Sequence, residues 1–223
     1  GNGAEVITVE LGGVEAEIID ESDSVIVVRS VGVGTSTLGA ATNTVRLVAN
    51  TGAEVSLDGA WTTLEDGSVN VVSPTSGQIG TEVTIHGARM LGGGDSVVQV
   101  DLVGIEAEIV SATDDVIELV VARSASAGTG NIVITADTGA VITGTGAFTY
   151  VNEGAIESVT PSEGQIGTGV MIEGTGLRGG GQKIVKVTLA GTSVAFIADD
   201  SDTAVSVVVA HADVASVASG DVI

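Results

Sequence analysis

Ser73–Gly87 reads SPTSGQIGTEVTIHG, and Thr160–Gly174 reads TPSEGQIGTGVMIEG. Pro161 follows Pro74 by 87 residues (161 − 74), and the same offset maps Leu91-Gly92-Gly93-Gly94 onto Arg178-Gly179-Gly180-Gly181 and Trp61 onto Phe148. Self-similarity held over a whole period is the signature of a repeat architecture. Upstream, Val6–Ile19 (VITVELGGVEAEII) matches Val97–Val110 (VVQVDLVGIEAEIV) at an offset of 91 (97 − 6), and Val45 returns to the offset of 87 against Ile132. The repeats predict three segments. Residues 1–66 are a partial copy without its first strands, 67–153 a complete copy, and 154–223 a partial copy without its last strands. The 223 residues read as a window on a longer chain.

Within each copy apolar residues alternate. In Val14-Glu15-Ala16-Glu17-Ile18 and Ile105-Glu106-Ala107-Glu108-Ile109 the apolar members share one face and the glutamates the other. Period two means strand. The third copy reads Thr192-Ser193-Val194-Ala195-Phe196 at the same places, which puts Phe196 on the buried face. Short β-branched runs separated by Gly, Asp, Asn and Ser clusters predict an all-β chain of tandem sandwiches. The alanine-rich stretch Val209–Ala218 reads as a loop, because its counterpart after Ala122 leads straight into Gly128-Thr129-Gly130. The joints between copies are a few residues long, which predicts a stiff, extended rod.

Composition narrows the function. Against 29 acidic side chains stand seven basic ones, a formal charge of −22, so a nucleic-acid backbone would be repelled and no nucleic-acid partner is expected. No apolar run approaches the ~20 residues of a membrane span, so no membrane insertion of this segment is expected. The chain has no cysteine, which excludes disulfides and thiol chemistry. The 33 glycines lack the every-third-residue spacing of collagen and mark turns.

The pattern resembles the IPT/TIG family of immunoglobulin-like sandwiches. The residues that carry the resemblance are Val71-Val72-Ser73-Pro74, Gly77, Gly80-Thr81, Val83-Thr84-Ile85-His86-Gly87 and Val100-Asp101-Leu102-Val103-Gly104, with Pro161, Gly164, Gly167-Thr168 and Gly174 in the third copy. The resemblance implies a cell-surface or extracellular location. The lack of cysteine is closer to repeats of microbial, algal and protist surface proteins than to the receptor branch. Basic DNA-binding loops of the transcription-factor branch are absent from this sequence.

Candidate sites follow. Asp20-Glu21-Ser22-Asp23, Thr113-Asp114-Asp115 and Asp199-Asp200-Ser201-Asp202 occupy equivalent loops. Two readings stand for them: a calcium site that recurs in each copy, with Asp114 and Asp115 as its ligands in one and Asp199, Asp200 and Asp202 in the next, or Asp/Ser turn chemistry at strand ends, which is preferred. Calcium is the one cofactor in play. The glycine triplets at 92–94 and 179–181 read as loops and not phosphate cradles, because strand-like sequence follows them where a helix would be needed. His86 and His211 have no matching histidine in other copies and no triad around them, so no catalytic residue is assigned. Trp61, Phe148 and Tyr150 lie beside the joints and are expected as core or interdomain plugs, with sugar stacking as the lesser reading. The leading expectation is a non-enzymatic structural or adhesive segment of a stalk, filament or coat. Its partners would be other copies or neighbouring repeats, joined by strand addition. A calcium- or carbohydrate-binding adhesion module is the alternative.

Overall fold

The computed structural model describes residues 5–22, 24–31 and 41–211, and the chain divides into two compact units, Gly1–Asp66 and Gly67–Ile223. Among the described residues every regular element is a β-strand.

The first unit contains β1 (Val6–Leu11), β2 (Val14–Glu21), β3 (Ile26–Arg29), β4 (Ala41–Ala49) and β5 (Glu54–Thr63), in the sheet order β3-β2-β1-β4-β5. Val9 opposes Ala16 across the first hairpin, and Val9, Leu11 and Ala16 are its buried residues. Trp61 and the alternate apolar members of the strands pack partly around them.

The second unit opens with a complete sandwich. Its strands are β6 (Ser68–Ser73), β7 (Ser76–Gly77), β8 (Glu82–Ala88), β9 (Val97–Leu102), β10 (Ile105–Glu106), β11 (Glu108–Ala112), β12 (Val116–Val120), β13 (Gly128–Ala136) and β14 (Val141–Tyr150). One sheet runs β10-β9-β13-β14-β7 and the other β11-β12-β8-β6. Alternate residues of both sheets point inward, so Val83, Ile85, Ile117 and Leu119 of one meet Val100, Leu102, Ile132 and Ile134 of the other in a single core. After it come β15 (Ala155–Thr160), β16 (Gly169–Thr175), β17 (Thr188–Leu189), β18 (Thr192–Ser193), β19 (Phe196–Asp200) and β20 (Ala204–Val208). They form the sheet β15-β16-β20-β19 and the hairpin β17-β18 around Val170, Ile172, Val187, Val205 and Val207. Val209, Ala210 and His211 lie outside any strand, and the rest of the stretch read as a loop, from 212 on, is outside the described residues.

The copies share their irregularities. Each has a two-residue hairpin turn with both φ angles positive: Gly12-Gly13 (63° and 82°), Val103-Gly104 (54° and 79°) and Ala190-Gly191 (49° and 80°). That twist matches the right-handed twist of the flanking strands. Each also carries a β-bulge on the strand after the hairpin, between Ile18 and Asp20, Ile109 and Ser111, and Ile197 and Asp199.

One expectation is corrected. Ile109 opposes Leu119 and Ile197 opposes Val207, so Ile197, not Phe196, is the counterpart of Ile109. The C-terminal copy holds one extra residue after Val194, and in a strand one residue reverses every following side chain. Phe196 is therefore 56% exposed while Ile197 packs against the core.

Candidate functional site

The three acidic loops are built as turns. In each, a hydroxyl residue accepts a hydrogen bond from the backbone N–H three positions on and donates to that residue's carbonyl: Ser22 with Val25, Thr113 with Val116, and Ser201 with Ala204. The aspartate that follows faces back across the loop. The Asp114 carboxylate accepts from Leu91 N–H at 3.1 Å, and its carbonyl from Met90 N–H. Asp202 repeats both contacts, with Arg178 N–H at 3.1 Å and Leu177 N–H. These residues thus latch the turn that carries the glycine triplet. Asp23 lies outside the described residues.

Asp200 does a different job. Its carboxylate accepts from Ile184 N–H and from Arg178 Nε at 2.8 Å, and Arg178 also donates to the Asp200 carbonyl. The Ile184 N–H first, and then the guanidinium, hold its pKa below the ordinary carboxylate value. Asp115 contributes its carbonyl to Gly87 N–H, and Asp199 is exposed on β19. Among the described residues no three His, Cys, Asp or Glu side chains gather into a set fit for a metal ion. In the first unit Arg46 bridges Glu10 (3.1 Å) and Glu54 (2.6 Å), and its hydrogen bond holds the Glu54 carboxyl below its usual value.

The aromatic residues separate. Phe148 and Tyr150 stand inside the core of the complete sandwich, edge to face at 5.4 Å, where a sugar has no access to them. Burial raises the Tyr150 pKa, and its hydroxyl has no hydrogen-bond partner among the described residues. Trp61 is half-buried and donates from Nε1 to Thr63 Oγ1 at 3.2 Å. His86 and His211 are both exposed.

Two open grooves mark the complete sandwich. One of about 750 Å³ runs between β6 and β14, past Asn70, Thr75, Thr145 and Thr149, with no titratable side chain or aromatic ring in its lining. The other, about 580 Å³, lies along 123–127 and the connecting residues 151–153. The first lining has no proton donor or acceptor that titrates, and the second offers only the Arg123–Glu153 pair, whose guanidinium keeps its proton, so neither is equipped for proton transfer.

What the sequence reading missed is the joint inside the second unit. Val151 N–H donates to the Gly77 carbonyl, Glu153 pairs with Arg123 at 3.1 Å, and Gly154 N–H donates to Gln78 Oε1 at 2.8 Å. The signal was present in the Gly-Gln-Ile-Gly that both opening motifs contain.

Comparison with known proteins places this geometry. The chain aligns with the extracellular region of plexin A4 at 17% identity and a TM-score of 0.52, over 92% of its own length and 18% of the plexin chain. It also aligns with the Bacteroides ovatus mixed-linkage glucan surface protein SGBP-B at 19% identity and a TM-score of 0.34, over 95% of its length and 52% of that chain. The plexin likeness speaks to the fold alone. No curated protein matches the sequence. The sequence pattern of the IPT/TIG domain matches residues 68–150 and again 155–220, together more than half of the chain. With the paired sheets, the repeated hairpin turns and the two matches in tandem, the chain belongs to the IPT/TIG domain family.

Proposed function

We propose that the chain is a non-enzymatic structural and adhesive segment of a long extracellular repeat protein, forming part of a stalk, filament or surface coat. The observation that carries this reading is the tandem: two family domains separated only by residues 151–154, three of which are tied down by hydrogen bonds or an ion pair. Short, tethered joints transmit orientation from one repeat to the next. The charge of −22, multiplied along such an array, keeps it soluble and repels neighbouring surfaces of the same sign. Small-angle scattering of the whole chain tests the reading. An extended particle has a radius of gyration well above the roughly 17 Å of a compact globule of this length. A value near that figure overturns it.

The finer version joins chains by strand addition. In the complete sandwich β12 continues its sheet through β8, with Ile117 opposite Ile85, whereas among the described residues of the first unit the equivalent strand β3 stands at the edge of its sheet. An edge of this kind is a template for another strand. Sedimentation across a range of concentrations is expected to show self-association that Val27→Lys weakens. A monomer at every concentration removes the strand-addition version.

A further inference from the structure

We propose that the Gln78 carboxamide is the coupling element between the two family domains of the second unit, the point at which one sandwich grips both the connector and the glycine turn of the next.

Three observations converge on it. First, the side chain is presented by a rigid turn. Gln78 N–H donates to Thr81 Oγ1 at 3.1 Å, and Thr81 N–H donates to the Gln78 carbonyl at 3.1 Å. Gly77 is bare there because a Cβ would stand 2.6 Å from Thr81 Oγ1. Second, Gln78 Oε1 accepts from Gly154 N–H at 2.8 Å, in the connector. Gly154 has no room for a side chain, since a Cβ would meet the Gly176 carbonyl, and so its N–H is open to the carboxamide. Third, the glycine triplet of the C-terminal copy lies against the same surface. A Cβ on Gly179 would come within 3.2 Å of Gln78 Nε2, and one on Gly180 within 3.6 Å of Ser76 Oγ and Val151 Cγ2. These glycines form no phosphate cradle. Both have positive φ (57° and 86°), which favours glycine, and the Gly179 position in addition lies close enough to Gln78 that a Cβ would crowd the carboxamide.

The chain contains its own control. Gln165 occupies the same turn one period later, with its N–H on Thr168 Oγ1 at 3.0 Å and Gly164 bare against Thr168. Yet Gln165 is exposed where Gln78 is half-buried. Among the described residues the Gln78 side chain makes a hydrogen bond into the connector and that of Gln165 makes none, so the two substitutions should separate coupling from local turn stability. The Arg123–Glu153 pair is a weaker tie, because its arginine is 68% exposed and exposed pairs contribute little.

The test uses the full chain, which has no native cysteine. Glu106→Cys and Ser193→Cys place spin labels at equivalent exposed positions of the two domains. The expected distance distribution is single and narrow, widening about two-fold in Gln78→Ala and unchanged in Gln165→Ala. Gln78→Met keeps the length of the side chain but drops the acceptor, and is expected to widen the distribution as well. It serves where the alanine variant fails to fold, as read by circular dichroism. An unchanged width in a folded Gln78 variant, or equal widening in Gln165→Ala, overturns the proposal. Because the readout concerns one joint, it can hold whether or not the chain belongs to an adhesive array.

Discussion

The first unit and the complete sandwich carry apolar residues at equivalent places and bury them to different degrees. Phe148, Ile132, Ile134, Ile117 and Leu119 are enclosed in the complete sandwich, with exposures of 0–1%. Their counterparts Trp61, Val45, Leu47, Ile26 and Val28 are only partly buried. Strand pairing does not differ, since Leu11 opposes Val45 as Leu102 opposes Ile132. What the described strands of the first unit do not themselves supply is an opposing layer, which β8 and β6 provide in the complete sandwich. Alternation selects the face that turns from water. A second sheet decides how much water leaves it, and hydrophobic stabilisation follows the area removed.

The sharpest way to break this comparison is truncation at one equivalent pair. Phe148→Ala is expected to cost about 3–5 kcal/mol, the range for a fully enclosed aromatic. Trp61→Ala is expected to cost roughly half as much, because the ring has less apolar contact to lose. Urea unfolding followed by circular dichroism measures both. Equal costs would mean that the first unit is as well packed as the sandwich.

The next test concerns the loops. Asp114→Ala and Asp202→Ala each remove the acceptor for one turn N–H and are expected to cost about 1 kcal/mol in their own domain. The corresponding asparagine variants, which keep an oxygen, should recover most of it. Thermal melts decide the matter. A loss that depends on added calcium would point back to a metal site.

Tyr150→Phe tests the interior from the opposite direction. Its hydroxyl is buried without a partner among the described residues, so removing it is expected to leave stability unchanged or raise it by up to about 1 kcal/mol. A loss beyond that range would reveal a partner for the hydroxyl.

The smallest expected effect is on pH dependence. Asp200 has a folded-state pKa below its ordinary value of 3.8. Its stabilisation is therefore complete above that value and fades as pH falls through the lower folded pKa, below about pH 4. Melting temperatures from pH 2 to 5 should fall less steeply in Asp200→Asn than in the parent chain. Glu54, held low by Arg46, should behave in the same way in the first unit.

Much of this molecule could be read from residues alone. The 87-residue period, the alternation in Val83-Thr84-Ile85 and the Pro-Gly-Gly-Thr spacing predict strands, copies and the IPT/TIG fold, because a strand's side-chain period is visible in one dimension. Phe196 shows the limit. Aligned by letters it matches Ile109, but a single inserted residue reverses the face, and only strand pairing shows where the insertion is absorbed. The acidic loops show a second limit. Asp114 and Asp200 look alike as letters, yet one carboxylate latches a glycine turn and the other holds Arg178 and Ile184.

What the sequence determined by itself is periodic and local: strand faces, turn positions, the repeat and the charge. Those follow from backbone sterics, side-chain alternation and composition, which need no knowledge of distant neighbours. Tertiary structure alone decided the rest. It set which apolar faces are covered, where Phe148 and Tyr150 reside, and how Gln78 reaches across 76 residues (154 − 78) to the N–H of Gly154. Burial and hydrogen bonding are properties of pairs of groups, and which groups meet is settled only when the sheets close.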